Sequence, residues 1–254
     1  MNIKNYEYLK EQLFYSGFGH HLEDSLKSKI AKGTQEFQLQ FNTQIESEPV
    51  KAELQFSKSK QTEMYFFNSF RIDLPQNGAR LADSRRFNIN GNFKFTLKEA
   101  YNLLNGRSVL KKVSTPQGDL YRAWFQLDSK TLDINGNHKM LQFHENYGYD
   151  LEKQLMRYPI MELRDEQNKK ILLDSLGRGN RHLVTFELGS GPEKLYLEAL
   201  PRFKAVCIYN EMGIRQEFID DRSKLHQKPS AKKQEQQRQI QIMSSRGGNG
   251  GHNL

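Results

Sequence analysis

The feature that most constrains this chain is a pattern that appears three times along it. A short helical segment ends on a glycine and hands over to residues that alternate apolar and polar. Lys29-Ile-Ala-Lys-Gly33 leads to Glu36-Phe-Gln-Leu-Gln-Phe41, Leu103-Leu-Asn-Gly-Arg-Ser-Val109 leads to Tyr121-Arg-Ala-Trp-Phe-Gln-Leu127, and Ser175-Leu-Gly-Arg-Gly179 leads to His182-Leu-Val-Thr-Phe-Glu-Leu188. Period two puts alternate side chains on one face of a strand, and a glycine after a helical run supplies its left-handed end. The implied fold class is α+β, built from repeated helix plus antiparallel β-meander units, three by this count, each burying a helix on a small sheet. Units this small need neighbours to complete a core. Duplication and ordinary α+β grammar both account for the resemblance among the three.

Local signals fill in the units. Tyr8, Leu9, Leu13 and Phe14, with Asn5 as cap, predict a first amphipathic helix stopped by Gly17 and Gly19. A second spans 21–31, with Leu22, Leu26, Lys29 and Ile30 at helical spacing, followed by three strands that include the aromatic run Met64 to Ile72. That run offers apolar groups on both strand faces. The reading preferred is a strand covered on both sides, the alternative a partner surface. The expected central unit opens with an Asn-Gly hairpin signal at 88–92, continues with the capping box Thr96-Leu-Lys-Glu99, and holds a second Ile-Asn-Gly-Asn at 134–137 between strands 120–127 and 139–143. Asp150 caps the helix that Pro159 ends, and Ile171, Leu172 and Leu176 lie on the last helix. The boundaries that follow are 1–80, 81–148 and 149–221 for the units and 222–254 for a basic tail.

The tail is set apart by charge. The chain carries a net +8, and from Arg222 onward seven Lys/Arg face Glu235 alone, so the tail holds +6 and the body +2. Its Gln/Lys-rich and then Gly-rich composition predicts a short helix and a largely disordered end, with one Arg-Gly-Gly at 246–248 of the kind found in nucleic-acid-binding segments. Concentrated positive charge is the electrostatic footprint of a polyanion binder. Candidate nucleic-acid contacts are Lys232, Lys233 and Arg238 in the tail, with Arg107, Lys111 and Lys112 after the central helix and Arg178 and Arg181 at the corresponding place in the last unit. The competing reading of those helix-end residues is solvated charge that complements a helix dipole.

Other chemistry finds little support. A mean hydropathy of −0.80 and the lack of a long apolar run exclude a membrane-spanning helix, so no membrane is expected. The amino terminus has no apolar stretch of the secretory kind, and the single cysteine, Cys207, permits no internal disulfide, which fits a cytoplasmic protein. None of the seven histidines has metal-ligand spacing, and Gly177-Arg-Gly-Asn-Arg181 follows a helix where a phosphate loop follows a strand. Asp128, Asp133, Asp220 and Asp221 pair with no acid-base partner in sequence. No catalytic residue, metal or cofactor is therefore assigned, and the expectation is a binding protein, not an enzyme. Nucleic acid and a protein partner are the two candidate ligands.

At Phe95-Thr-Leu-Lys-Glu-Ala-Tyr-Asn-Leu-Leu-Asn-Gly-Arg-Ser-Val-Leu-Lys-Lys-Val113, Tyr121 to Asp128 and Asn146 to Leu163 the chain resembles an uncharacterised family of Bacteroidota proteins, similar to domains of unknown function on conjugative or other mobile elements. The resemblance covers about residues 1–220 and leaves the tail outside. It implies a cytoplasmic bacterial protein of a mobile element, and it transfers no functional residue.

Overall fold

The computed structural model describes residues 2–76, 80–89, 91, 94–115, 117–134 and 136–218, and the backbone of 225–227. The fold is α+β, with antiparallel strands in three sheets. Helix α1 (Ile3–Leu13) runs into a π-helical turn at Phe14–Phe18 and is followed by α2 (Glu23–Ala31). Asn2, not Asn5, caps α1, accepting the Asn5 N–H at 3.1 Å. Asn5 is buried and clamps the next sheet: its amide donates to the Tyr65 carbonyl and accepts the Tyr65 N–H. Tyr8 faces solvent, while Tyr6, Leu9 and Leu13 supply the buried stripe.

The first sheet has the order β1 (Glu36–Ile45), β2 (Glu48–Lys58), β3 (Tyr65–Asp73), β4 (Ser84–Asn88). Phe37, Leu39 and Phe41 of β1 alternate inward as the period predicts. β3 departs from the two-sided burial expected for its aromatic run. Tyr65, Phe67, Phe70 and Ile72 are buried, whereas Met64 and Phe66 are exposed. Phe67 and Phe70 are three apart and share a face because the register slips: Gln55 pairs with Ser69 but Phe56 with Phe67, which leaves Asn68 as the extra residue of a bulge. The run is therefore one covered face plus a bulge.

The hairpin signal at 88–92 also works out differently. Asn88 ends β4, which pairs with β3, and Lys94 and Phe95 belong to no strand; Asn90, Asn92 and Phe93 lie outside the described residues. Residues 84–88, placed by sequence in the central unit, thus complete the first sheet.

Helix α3 (Leu97–Leu104) opens on the expected capping box, Thr96 Oγ1 accepting the Glu99 N–H at 3.3 Å and Glu99 Oε2 accepting the Thr96 N–H at 2.8 Å. Seven of its eight residues are buried, because it touches β3 and β4 on one side and the central sheet on the other. That sheet is β5 (Val109–Ser114), β6 (Leu120–Leu132), β7 (His138–His144). Both its faces are covered. Val109, Val113, Ala123, Phe125 and Leu127 join the first hydrophobic cluster with α1, α2, α3 and the first sheet, while Trp124, with Leu110 and Phe143 packed beside it, joins a second.

The second cluster contains α4 (Leu151–Leu155), α5 (Glu166–Gly177) and a last sheet of β8 (His182–Leu188), β9 (Gly191–Leu200), β10 (Ala205–Tyr209), β11 (Arg215–Phe218) and β12 (Leu225–Gln227) in the order β12-β11-β10-β9-β8. Asp150 caps α4 as expected, accepting the Lys153 N–H at 3.0 Å. α5 lies between the central and last sheets through contacts with β5, β8 and β9. The buried side chains thus form two clusters, with the central sheet shared by both. The strand at 225–227 pairs with β11 although it lies past the sequence boundary at 222; the rest of the tail lies outside the described residues. Among the described residues no helix is long and apolar enough to cross a membrane.

Candidate functional site

The carboxyl ends of α3 and α5 abut. The sequence explains why the chain turns there: Gly106 and Gly179 take φ of +78° and +77°, a region costly for any residue with a Cβ. At Gly179 the approach is close as well. A Cβ there would stand 2.8 Å from the Ser108 carbonyl oxygen, 3.1 Å from Val109 Cγ2 and 3.2 Å from Asn102 Cβ. Asn102, fully buried, crosses the seam, its amide donating to the Arg178 carbonyl at 2.8 Å and to Asn180 Oδ1 at 3.0 Å.

Into this seam the structure brings three of the arginines singled out by sequence. Arg107 is buried, donates to both Glu46 carboxylate oxygens at 2.8 and 2.7 Å and to Asn102 Oδ1 at 2.9 Å, and stands 3.9 Å from Glu198. Arg181 pairs with the same Glu198 at 3.1 Å and stacks 3.9 Å over the Tyr209 ring. Arg178 offers its carbonyl to Asn102 while its side chain is exposed. A chain of charge, Glu46–Arg107–Glu198–Arg181, therefore links the first sheet, the central helix and the last sheet. Its buried members are paired and hydrogen-bonded, as buried charge must be.

Glu46 and Ser47 form the two-residue turn between β1 and β2, at φ of 52° and 66°. Two left-handed non-glycine residues in succession cost about 1–2 kcal/mol each. Arg107 and Lys98, whose Nζ lies 2.6 Å from Glu46 Oε1, hold the turn from outside. Burial pushes the Glu46 carboxyl up, and the hydrogen bonds from Arg107 and Lys98 more than reverse this, holding it down to about 2. Lys98 is itself pushed down, since its burial outweighs the help of Glu46. Tyr101 beside them is pushed up to about 12, by burial first and then by the carboxylates of Glu46 and Glu48. Sequence reading missed Glu46, Glu198 and Asn102. A Glu-Ser turn carries no hairpin signal, and a carboxylate on an alternating strand looks solvated until its partner arrives from another sheet.

The remaining candidates separate by face. Lys111 lies on the first-cluster face of β5 and pairs with buried Glu99 at 2.9 Å. Lys112 lies on the opposite face, directly across from Arg122, and among the described residues neither makes a salt bridge. Lys232, Lys233 and Arg238 lie outside the described residues.

Arg122, the strand partner of Lys112, lines a cavity of about 1000 Å³ between the second face of the central sheet and helices α4 and α5. Leu110 and Trp124 form its floor, with Tyr149, Lys153, Lys170 and Leu173 among its walls. Lys169 bridges the helices by pairing with Glu152 at 3.0 Å and Glu166 at 2.7 Å. The lining holds four cations, Arg122, Lys153, Lys169 and Lys170, against five carboxylates, Glu145, Asp150, Glu152, Glu166 and Asp174. Such a balance favours a mixed-charge ligand over a polyanion. Cys207 is buried in β10, where burial pushes its thiol up, a setting for an inert cysteine. Among the described residues no three His, Cys, Asp or Glu side chains gather as metal ligands.

No family model, no characterised protein and no solved structure matches this chain.

Proposed function

We propose that the protein is a non-enzymatic, nucleic-acid-associated binding protein of the cytoplasm, anchored electrostatically by its carboxyl-terminal tail, in the mobile-element setting implied by the Bacteroidota resemblance. The observation that carries this reading is where the positive charge remains available. Of the candidate contacts in the body, Arg107, Lys111 and Arg181 are committed to Glu46, Glu99 and Glu198, which leaves Lys112 and the side chain of Arg178 without a salt bridge among the described residues. Most of the net charge, +6 of +8, lies from residue 222 onward. Phosphate neutralisation releases counterions, so affinity for a labelled oligonucleotide should fall steeply with salt.

The test is fluorescence anisotropy of single-stranded and duplex DNA and RNA with the full chain, across a salt series. Substituting Lys232, Lys233 and Arg238 together by glutamine should weaken binding roughly uniformly across sequences and reduce the salt slope by about 3. Binding that is unchanged by both salt and the triple substitution would reject the reading. Because residues 225–227 pair with β11, charge removal is a cleaner change than truncation at 222.

A second reading, a protein-interaction adaptor or inhibitor, is favoured by the cavity above Trp124. Its near-balanced charge and apolar floor suit a polypeptide segment better than a phosphate backbone. On this reading Lys153→Glu with Lys170→Glu weakens a nuclease-insensitive, stoichiometric protein complex and leaves oligonucleotide binding as it was.

A further inference from the structure

Five of the sheet edges are short, charged or covered. β12 has three residues, β4 has five and carries Arg85 and Arg86, and β5 carries Lys111 and Lys112. On β7 the His138 carbonyl accepts from the Arg85 guanidinium. On β8 the Thr185 N–H donates to the Glu162 carboxylate at 2.9 and 3.0 Å, and the Glu187 N–H to the Pro159 carbonyl at 2.8 Å. These are the usual devices against edge-to-edge pairing.

β1 is neither short nor covered among the described residues, and its one charge is Glu36 at its first position. It is ten residues long, contains no Lys, Arg or Pro, and pairs with β2 without a bulge along its whole length. The Lys58 N–H donates to the Gln35 carbonyl at 2.7 Å, and antiparallel pairs alternate between bonded and non-bonded. The odd-numbered residues of β1 therefore bond to β2, while Glu36, Gln38, Gln40, Asn42 and Gln44 direct their N–H and C=O groups away from the sheet. Among the described residues no hydrogen bond reaches those backbone groups, and all five side chains are exposed.

We infer that this edge is the interface for a second copy of the chain, joined to its own β1 by a two-fold axis at Gln40. The occupant follows from self-complementarity. Centred on Gln40, the register sets Glu36 opposite Gln44, Gln38 opposite Asn42 and Gln40 opposite itself, so every outward-directed residue meets another and about ten cross-strand bonds form. No other two-fold register uses all five. The same register sets Leu39 opposite Phe41 on the helix-covered face and continues its apolar row. The strand's one charged residue, Glu36, lands against Gln44 of the other copy and far from its own counterpart, so nothing repels. Two four-stranded sheets become one of eight, with closed symmetry and no remaining β1 edge. The inference stands apart from the functional reading above; a dimer would place two tails on one particle and raise avidity for a long ligand.

Sedimentation equilibrium of the full chain from about 1 to 100 μM tests it. The expected result is concentration-dependent dimer, weakened at least tenfold by Gln40→Lys, because the substitution sets two like charges directly opposite. Mixing Gln40→Lys with Gln40→Glu should restore association between the unlike copies, which only a contact at the two-fold centre does. Circular dichroism melts check that each variant keeps the fold, as substitution at an exposed position should. A wild-type chain that stays monomeric throughout would overturn the inference. So would a Gln40→Lys variant as dimeric as wild type, or a mixture no tighter than Gln40→Lys alone.

Discussion

The first sheet and the central sheet share antiparallel pairing, yet the first buries one face and the central sheet buries two. In the first, every inward residue of β1 is followed by a Gln, Asn or other polar residue that faces out. In the central sheet the run Ala123-Trp124-Phe125 is buried without a break, because Ala123 and Phe125 serve one cluster and Trp124 the other. The difference shows that strand burial depends on how many helices lie between sheets: α3 and α5 flank the central sheet, whereas the open face of the first is tied together by Arg71 to Asp73 at 2.8 Å and Arg71 to Ser84 at 2.9 Å.

The largest effect that would break this comparison is at Trp124. Replacing it by alanine removes the main contribution of the central sheet to the second cluster and should cost about 3–5 kcal/mol, read by urea denaturation. If the loss is below about 1 kcal/mol, the sheet is not a shared wall between two cores. Next comes Gly179, where the end of α5 lies against Asn102 of α3. Gly179→Ala combines a left-handed φ with a 2.8 Å approach to a backbone oxygen, and should cost about 2–4 kcal/mol. A milder loss would mean that the two helix ends can part without disturbing the sheet between them.

Glu46 tests how the one-faced sheet is tied to that seam. Its carboxyl lies well below the ordinary value in the folded chain, at about 2, so its contribution is complete above the unfolded value of about 4.5 and is lost as pH falls through about 2. The shift alone sets a ceiling of about 3 kcal/mol, and with the side chain 37% exposed solvent screening lowers this to about 1–2 kcal/mol. Denaturation at pH 6 and pH 3 should show a little over half of that loss in the wild type, because pH 3 lies below the unfolded value but above the folded one, and a flatter profile in Glu46→Gln. An equally steep acid loss in the variant would place the pH dependence elsewhere.

Much of this architecture was legible in the residues. Period-two alternation placed β1, and the pattern Thr96-x-x-Glu99 placed the start of α3, because both signals are local. The bulge at Asn68 was not legible, since Phe67 and Phe70 reveal their common face only once Phe56 and Ser69 fix the register. The seam was half legible. Helix-end arginines stood out by type and position, but the role of Arg107 depends on Glu46, 61 residues away, and on Glu198 in another sheet. Long-range pairing leaves no spacing to read.

The smallest effect sharpens the comparison from the open side. Phe66 and Phe67 are neighbours on β3, one 44% exposed and the other 1%. Phe66 sits opposite Ser57 on the outer face, while Phe67 stacks on Phe56 with ring centroids 5.0 Å apart and meets Phe18 edge-on. Phe66→Ser should therefore change stability by less than about 0.5 kcal/mol, whereas Phe67→Ala should cost about 3–5 kcal/mol. Both are read from the same urea titrations. A Phe66→Ser loss approaching that of Phe67→Ala would mean that the outer face is covered in solution, and the first sheet would then resemble the central one.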